Sequence, residues 1–166
     1  MTTSLLQDAF DHHVWATIRV LDVCLELTPE QLATTVAGTY GSILETMRHT
    51  VGSDSWYLHV MRGEDQIDED HMDLRELRAA MEANGTAWSA FLDDAPDPDA
   101  VIVQPADDGS SFRGPLGIRL AQAVHHGTDH RSQVCTALTT LGLEPPAIDV
   151  WDYGERVGRT EEIPPP

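Results

Sequence analysis

Residues 115–142 read PLGIRLAQAVHHGTDHRSQVCTALTTLG. Leu120, Val124, Gly127, Val134, Leu138 and Leu141 recur at the steps of a helical face, and Pro115 stands where a helix can begin. Gly142 stands where one closes. The segment therefore predicts one long helix, and His126 and His130, four residues apart, share one of its faces one turn apart.

The rest of the chain repeats the pattern. Leu6, Phe10, Val14, Ile18, Leu21 and Leu25 predict a first long helix over about residues 3 to 26, and Thr28-Pro29-Glu30 predicts a short turn through Leu32. Ser42 with Glu45 forms a capping box, after which Leu44, Met47, Val51 and Leu58 carry a second long helix to about Arg62, where Gly63 stops it. Asp73 caps a third, with Leu74, Leu77, Met81, Trp88 and Phe91 on one face and an end near Asp93. Asp94 to Asp99 carries two prolines and cannot stay helical. Val101-Ile102-Val103, then Asp108-Gly109 and Phe112, predict a small hairpin or extended loop. Ile148 to Val157 predicts a short last helix, and residues 161–166 a flexible tail with three frayed prolines. The expected fold is all-α, a four-helix bundle in one domain over residues 1–160, with a minor β element before the last long helix.

Composition narrows the partners. The chain has 166 residues and a formal charge of −18, with ten basic residues, all arginine, against 28 acidic. Such a surface repels phosphate backbones and anionic lipid, so neither nucleic acid nor membrane is expected as a partner. No apolar run is long enough to span a bilayer, and the first ten residues lack a basic, apolar leader. A cytoplasmic protein is the expectation. Cys24 and Cys135 are the only cysteines, far apart in helical patterns, and a reducing compartment fits them. Cys135, five residues beyond His130, falls on another helical face and is read as a core residue. Trp15, Trp56 and Trp88 fall on core-facing stripes.

A histidine pair at this spacing arises by chance about 0.4 times in a chain with eight histidines, so position must support it. His49 lies on the second long helix, in register with Trp56 and Val60 on an inward-facing line. A third imidazole from a different helix is what a metal site in a bundle core requires. Three imidazoles suit Zn, Ni, Fe or Cu and leave a position open for water or substrate. The competing reading is three core histidines satisfied by backbone carbonyls. Gly127 stands where the glutamate of a metalloprotease HExxH would be, which removes the usual base for peptide hydrolysis. Asp54 and Asp129 are candidates to fix the tautomer of a ligating histidine. His12 and His13 are read as packed beside Trp15 or in solvent, and Arg131 as a salt-bridge partner or an anion clamp.

Several segments together resemble the DinB family: Asp11-His12-His13-Val14-Trp15-Ala16, His49 early in the second long helix, and His126-Gly127-Thr128-Asp129-His130-Arg131-Ser132-Gln133. The match continues through Leu141-Gly142-Leu143-Glu144-Pro145-Pro146-Ala147-Ile148-Asp149. The resemblance implies a DinB-like up-down-down-up bundle with a long crossover, in which the first and second, and the third and fourth, long helices run parallel within pairs. It also implies a divalent metal ion, of unknown identity among Zn, Ni and Fe, held by His49, His126 and His130. Asp129, Ser132 and Thr17 depart from common family residues at positions that are not ligands. Some relatives are thiol-dependent transferases or isomerases that use bacillithiol or mycothiol. A metal-dependent enzyme acting on a small molecule with a low-molecular-weight thiol is thus expected, its catalytic residues unassigned. The alternative is a non-catalytic, stress-linked binding protein whose ion is closed off by a fourth protein ligand such as His12. A homodimer is a further expectation.

Overall fold

A computed structural model of the protein describes residues 4–106 and 108–163. Its elements are α1 (Leu5–Cys24), α2 (Pro29–Leu32), α3 (Ile43–Arg62), α4 (Leu74–Asp93), β1 (Val101–Pro105), β2 (Ser111–Pro115), α5 (Leu116–Thr140) and α6 (Val150–Arg156). Each boundary has a local cause. Ser4 Oγ accepts from the Gln7 amide at the start of α1, and capping boxes open α2 (Thr28 with Gln31), α3 (Ser42 with Glu45) and α4 (Asp73 with Glu76). Each such cap is worth about 1 kcal/mol. Gly63 ends α3 in the left-handed region at φ 73°, where a side chain would be strained. The predicted hairpin forms, with Val103 opposite Arg113 and Gln104 opposite Phe112. The three terminal prolines lie outside the described residues.

Two buried apolar clusters define how the long helices run. One joins Val20, Leu21 and Cys24 of α1, Ile43, Met47 and Val51 of α3, Leu74, Leu77 and Met81 of α4, and Val134, Ala137 and Leu138 of α5. The other joins Phe10, Tyr57, Leu58, Trp88, Leu116, Leu120 and Ala123. Helices α1 and α5 pass from the second cluster to the first, and α3 and α4 pass from the first to the second. The topology is up-down-down-up. The long pairs that run parallel are therefore α1 with α5 and α3 with α4, which corrects the expectation that the first and second and the third and fourth would do so.

The reason lies in the connector after α3. It doubles back along that helix: the Ile67 amide donates to Ser55 Oγ at 3.2 Å, and Arg48 Nε and Nη2 donate to the Met72 carbonyl at 3.0 and 2.9 Å. Gly52 leaves room for this return, because a Cβ there would stand 2.2 Å from the Glu69 carboxyl carbon. α4 consequently restarts near the beginning of α3. No described helix is long and apolar enough to cross a membrane.

A polar layer separates the two apolar clusters. His13, Thr17, Asp54, His130 and Arg131 are all buried there, at the midpoint of the bundle. Burying so many polar groups costs stability unless each finds a partner, so the layer is where function is to be sought.

Candidate metal centre

The structure brings His49 of α3 together with His126 and His130 of α5. The Nε2 atoms of His49 and His126 lie 3.0 Å apart and those of His126 and His130 lie 3.1 Å apart. One ligating atom from each of the three lies within 4.8 Å of the others. Three nitrogens bound at 2.0–2.1 Å to one tetrahedral ion would stand about 3.3 Å from one another. The cluster is already close to that spacing.

The ring nitrogens are set to present lone pairs. Gln133 Oε1 accepts from the Tyr40 amide at 2.7 Å, which identifies that atom as the oxygen, and it also lies 3.3 Å from His130 Nδ1. His130 must therefore carry its proton on Nδ1, and its Nε2 lone pair faces the other imidazoles. Burial, reinforced by the neighbouring His130 and His49 rings, pushes the His126 pKa down to about 4. Burial and His130 push that of His49 down as well. Metal-free imidazoles held near one another favour the uncharged form that a cation needs.

Tyr40, which precedes α3, covers the cluster. Its ring stacks on His49 with centroids 4.0 Å apart and planes 7° from parallel, and meets His130 edge-on at 5.6 Å. Gln133 thus ties the Tyr40 loop to a histidine of α5. Beside His49 a cleft of about 450 Å³ is lined by Tyr40, Gly41, Glu45, Arg48, Glu69 and Asp70.

Behind the triad, a network crosses the core. His13 Nε2 lies 3.0 Å from both oxygens of Asp54, Trp88 Nε1 donates to Asp54 Oδ2 at 3.1 Å, and Arg131 Nη1 lies 2.9 Å from His13 Nδ1. Arginine only donates, so His13 Nδ1 accepts and the single ring proton sits on Nε2, pointing at Asp54. Arg131 donates further to Thr17 Oγ1 and Thr128 Oγ1, both at 3.1 Å. Burial pushes its pKa down to about 10. One guanidinium and one carboxylate, separated by an imidazole, balance in formal charge.

These placements correct several readings. Asp54 holds His13 rather than a ligating histidine, Asp129 is exposed on α5, and the partner of His130 is Gln133. His13 is fully buried in the network. His12, the suggested fourth ligand, places Nε2 2.8 Å from the Ile148 carbonyl oxygen and is not in the triad. Arg131 makes neither a carboxylate salt bridge nor an exposed clamp. Trp88 is buried, whereas Trp15 and Trp56 are only half-buried. Cys135 is half-buried against the core. The sequence gives no signal for Tyr40, whereas Gln133 is marked beside the histidine pair by its position. The spacing of Gln133, three residues after His130 on the same helix, was the available signal.

Comparison with known proteins agrees with this architecture. A solved structure, the crystal structure of a DinB-like protein from Bacillus cereus ATCC 10987, matches with a TM-score of 0.68 and 19% identity. The match covers 90% of this chain and 100% of that one, and at this identity it speaks for the fold. No curated protein matches the sequence. The DinB family model matches residues 1–161, and the chain belongs to the DinB family.

Proposed function

We propose that this protein is a metal-dependent enzyme that activates a low-molecular-weight thiol or water for transfer to a small electrophile, with the ion held by His49, His126 and His130. The observation that carries the reading is the convergence of three imidazoles from two helices, their nitrogens about 3 Å apart. A donor set of three imidazoles suits Zn, Ni or Fe, and among the described residues no fourth His, Cys, Asp or Glu joins it. When bound, such an ion lowers the pKa of a thiol or water at its open position and so supplies a nucleophile at neutral pH.

The chain's own residues do the arranging. Gln133 orients His130, the Tyr40 ring shields one side of His49, and the Arg131–His13–Asp54 network holds α5 against α1 and α3. The expected setting is cytoplasmic, with a small molecule as partner. The alternative, a closed structural site in a binding protein, loses its suggested fourth ligand because His12 is engaged at Ile148.

Elemental analysis of protein purified without a metal-affinity column tests the first half: about one divalent ion per chain is expected. The second half is tested by titrating thiols into that protein and screening electrophiles. Metal-loaded protein that binds no thiol and accelerates no addition would overturn the enzymatic reading.

A further inference from the structure

Arg119 is the one buried arginine that the metal site and its supporting network leave unexplained. It is only 6% exposed, and its Nη1 donates to Gln104 Oε1 of β1 at 2.9 Å. Its Nε and Nη2 are shut off from solvent, and no acceptor among the described residues reaches them. Phe112 of β2 covers the guanidinium, 5.4 Å from the ring centroid. Burying a permanently charged group with two idle donors is costly, and a stability argument alone would have selected an apolar residue here.

The identity of the idle atoms is informative. Nε and Nη2 form the side of the guanidinium that meets a carboxylate with two parallel hydrogen bonds. Gln104, which occupies the third nitrogen, also walls a cleft of about 700 Å³ between α3 and β1, lined in addition by Trp56, His59, Val60 and Val103. Gln104 therefore stands between the cleft and the guanidinium.

Position links this edge to the metal centre. Arg119 and His126 are seven residues apart on α5, on one face and about 10 Å apart along the axis. Tyr57 of α3 lies beside the same helix face, its ring centroid 6.1 Å from that of His126 and 5.1 Å from that of Trp56 at the cleft. The geometry points to Arg119 as the anchor for the carboxylate of a small molecule that enters the α3–hairpin cleft, displaces the Gln104 side chain and extends toward His126. The far end of that ligand rests on the metal-centre reading, whereas the carboxylate anchor does not.

Three probes separate the two. The protein with its metal is titrated calorimetrically with 6-mercaptohexanoate, 6-mercaptohexanol and hexanoate, beside the Arg119→Met and Arg119→Lys variants. Wild type should bind 6-mercaptohexanoate at least about tenfold more tightly than the neutral thiol. Arg119→Met should erase that preference and leave both the 6-mercaptohexanol affinity and the metal content unchanged, while Arg119→Lys keeps part of it. Arg119→Met should stay folded, because it removes an unpaired buried charge, and Arg119→Lys decides if it does not.

If 6-mercaptohexanoate binds no more tightly than hexanoate, both in an Arg119-dependent way, and 6-mercaptohexanol does not bind, the anchor stands and the thiol reading fails. A carboxylate preference that survives in Arg119→Met, or none in wild type, would overturn the anchor and leave Nε and Nη2 to water.

Discussion

His49 and His126 meet with their Nε2 atoms 3.0 Å apart although 77 residues separate them, because antiparallel α3 and α5 lay the second turn of α3 against the middle of α5. Removing either ring takes one of three ligands from the proposed ion. His126→Ala is expected to lose stoichiometric metal in elemental analysis. It should also lose the stabilisation that added metal confers, since an ion that binds only the folded chain raises the melting temperature with its concentration. Metal retained at one ion per chain would mean that the ion sits elsewhere.

Gln133 carries a subtler burden. Its side chain fixes His130 and the Tyr40 loop through one oxygen. Gln133→Leu should therefore weaken metal affinity about 10–100-fold, measured by chelator competition, with a much smaller effect on the melting temperature of the metal-free protein. Equal losses in both would make the residue structural only.

Much of this was legible beforehand, and the exceptions share a cause. The helix limits followed from Ser42, Gly63, Asp73 and Gly142, which act on their own neighbours, and the triad followed from helical period plus family resemblance. Which helices run parallel depends instead on the path of residues 63–73, which carry no period. His13, Asp54, Trp88 and Arg131 come from four helices and meet only once helix order is known. Tyr40 illustrates the same limit: an irregular segment lays its aromatic ring over a histidine, and nothing local announces it.

Gly127 owes its place to the buried network. A Cβ at this position would stand 2.1 Å from His13 Cε1 and 2.5 Å from Nδ1, closer than atoms can pack. Gly127→Ala should therefore cost about 1–3 kcal/mol despite alanine's better helix propensity, as read by denaturant unfolding. Pairing it with His13→Ala should recover part of the loss, giving a non-additive double-mutant cycle. Simple additivity would place the strain elsewhere.

Asp54 accepts from both His13 and Trp88 while balancing the buried Arg131 charge. Asn at this position keeps the shape but has one accepting oxygen where two donors arrive, and it removes the counter-charge. Asp54→Asn should cost about 3–5 kcal/mol, the range for breaking one side of a buried pair. An unchanged unfolding midpoint would show that the three groups are not coupled.

Acid should act on the protein through the triad. His126 titrates near 4 in the fold against an ordinary 6.5, chiefly because of burial and then because of the two facing rings. Between those values the unfolded chain holds a proton on this group that the native chain does not, so stability rises with pH across the window. The contribution is fully present above about 6.5 and is lost as pH falls toward 4. A bound ion sharpens the dependence, because each ligating nitrogen must shed its proton. Unfolding midpoints measured from pH 7 down to pH 4 should therefore fall, and fall further with saturating metal than without. In His126→Ala the metal-dependent part of that slope should vanish; its survival would assign the acid sensitivity to groups outside the triad.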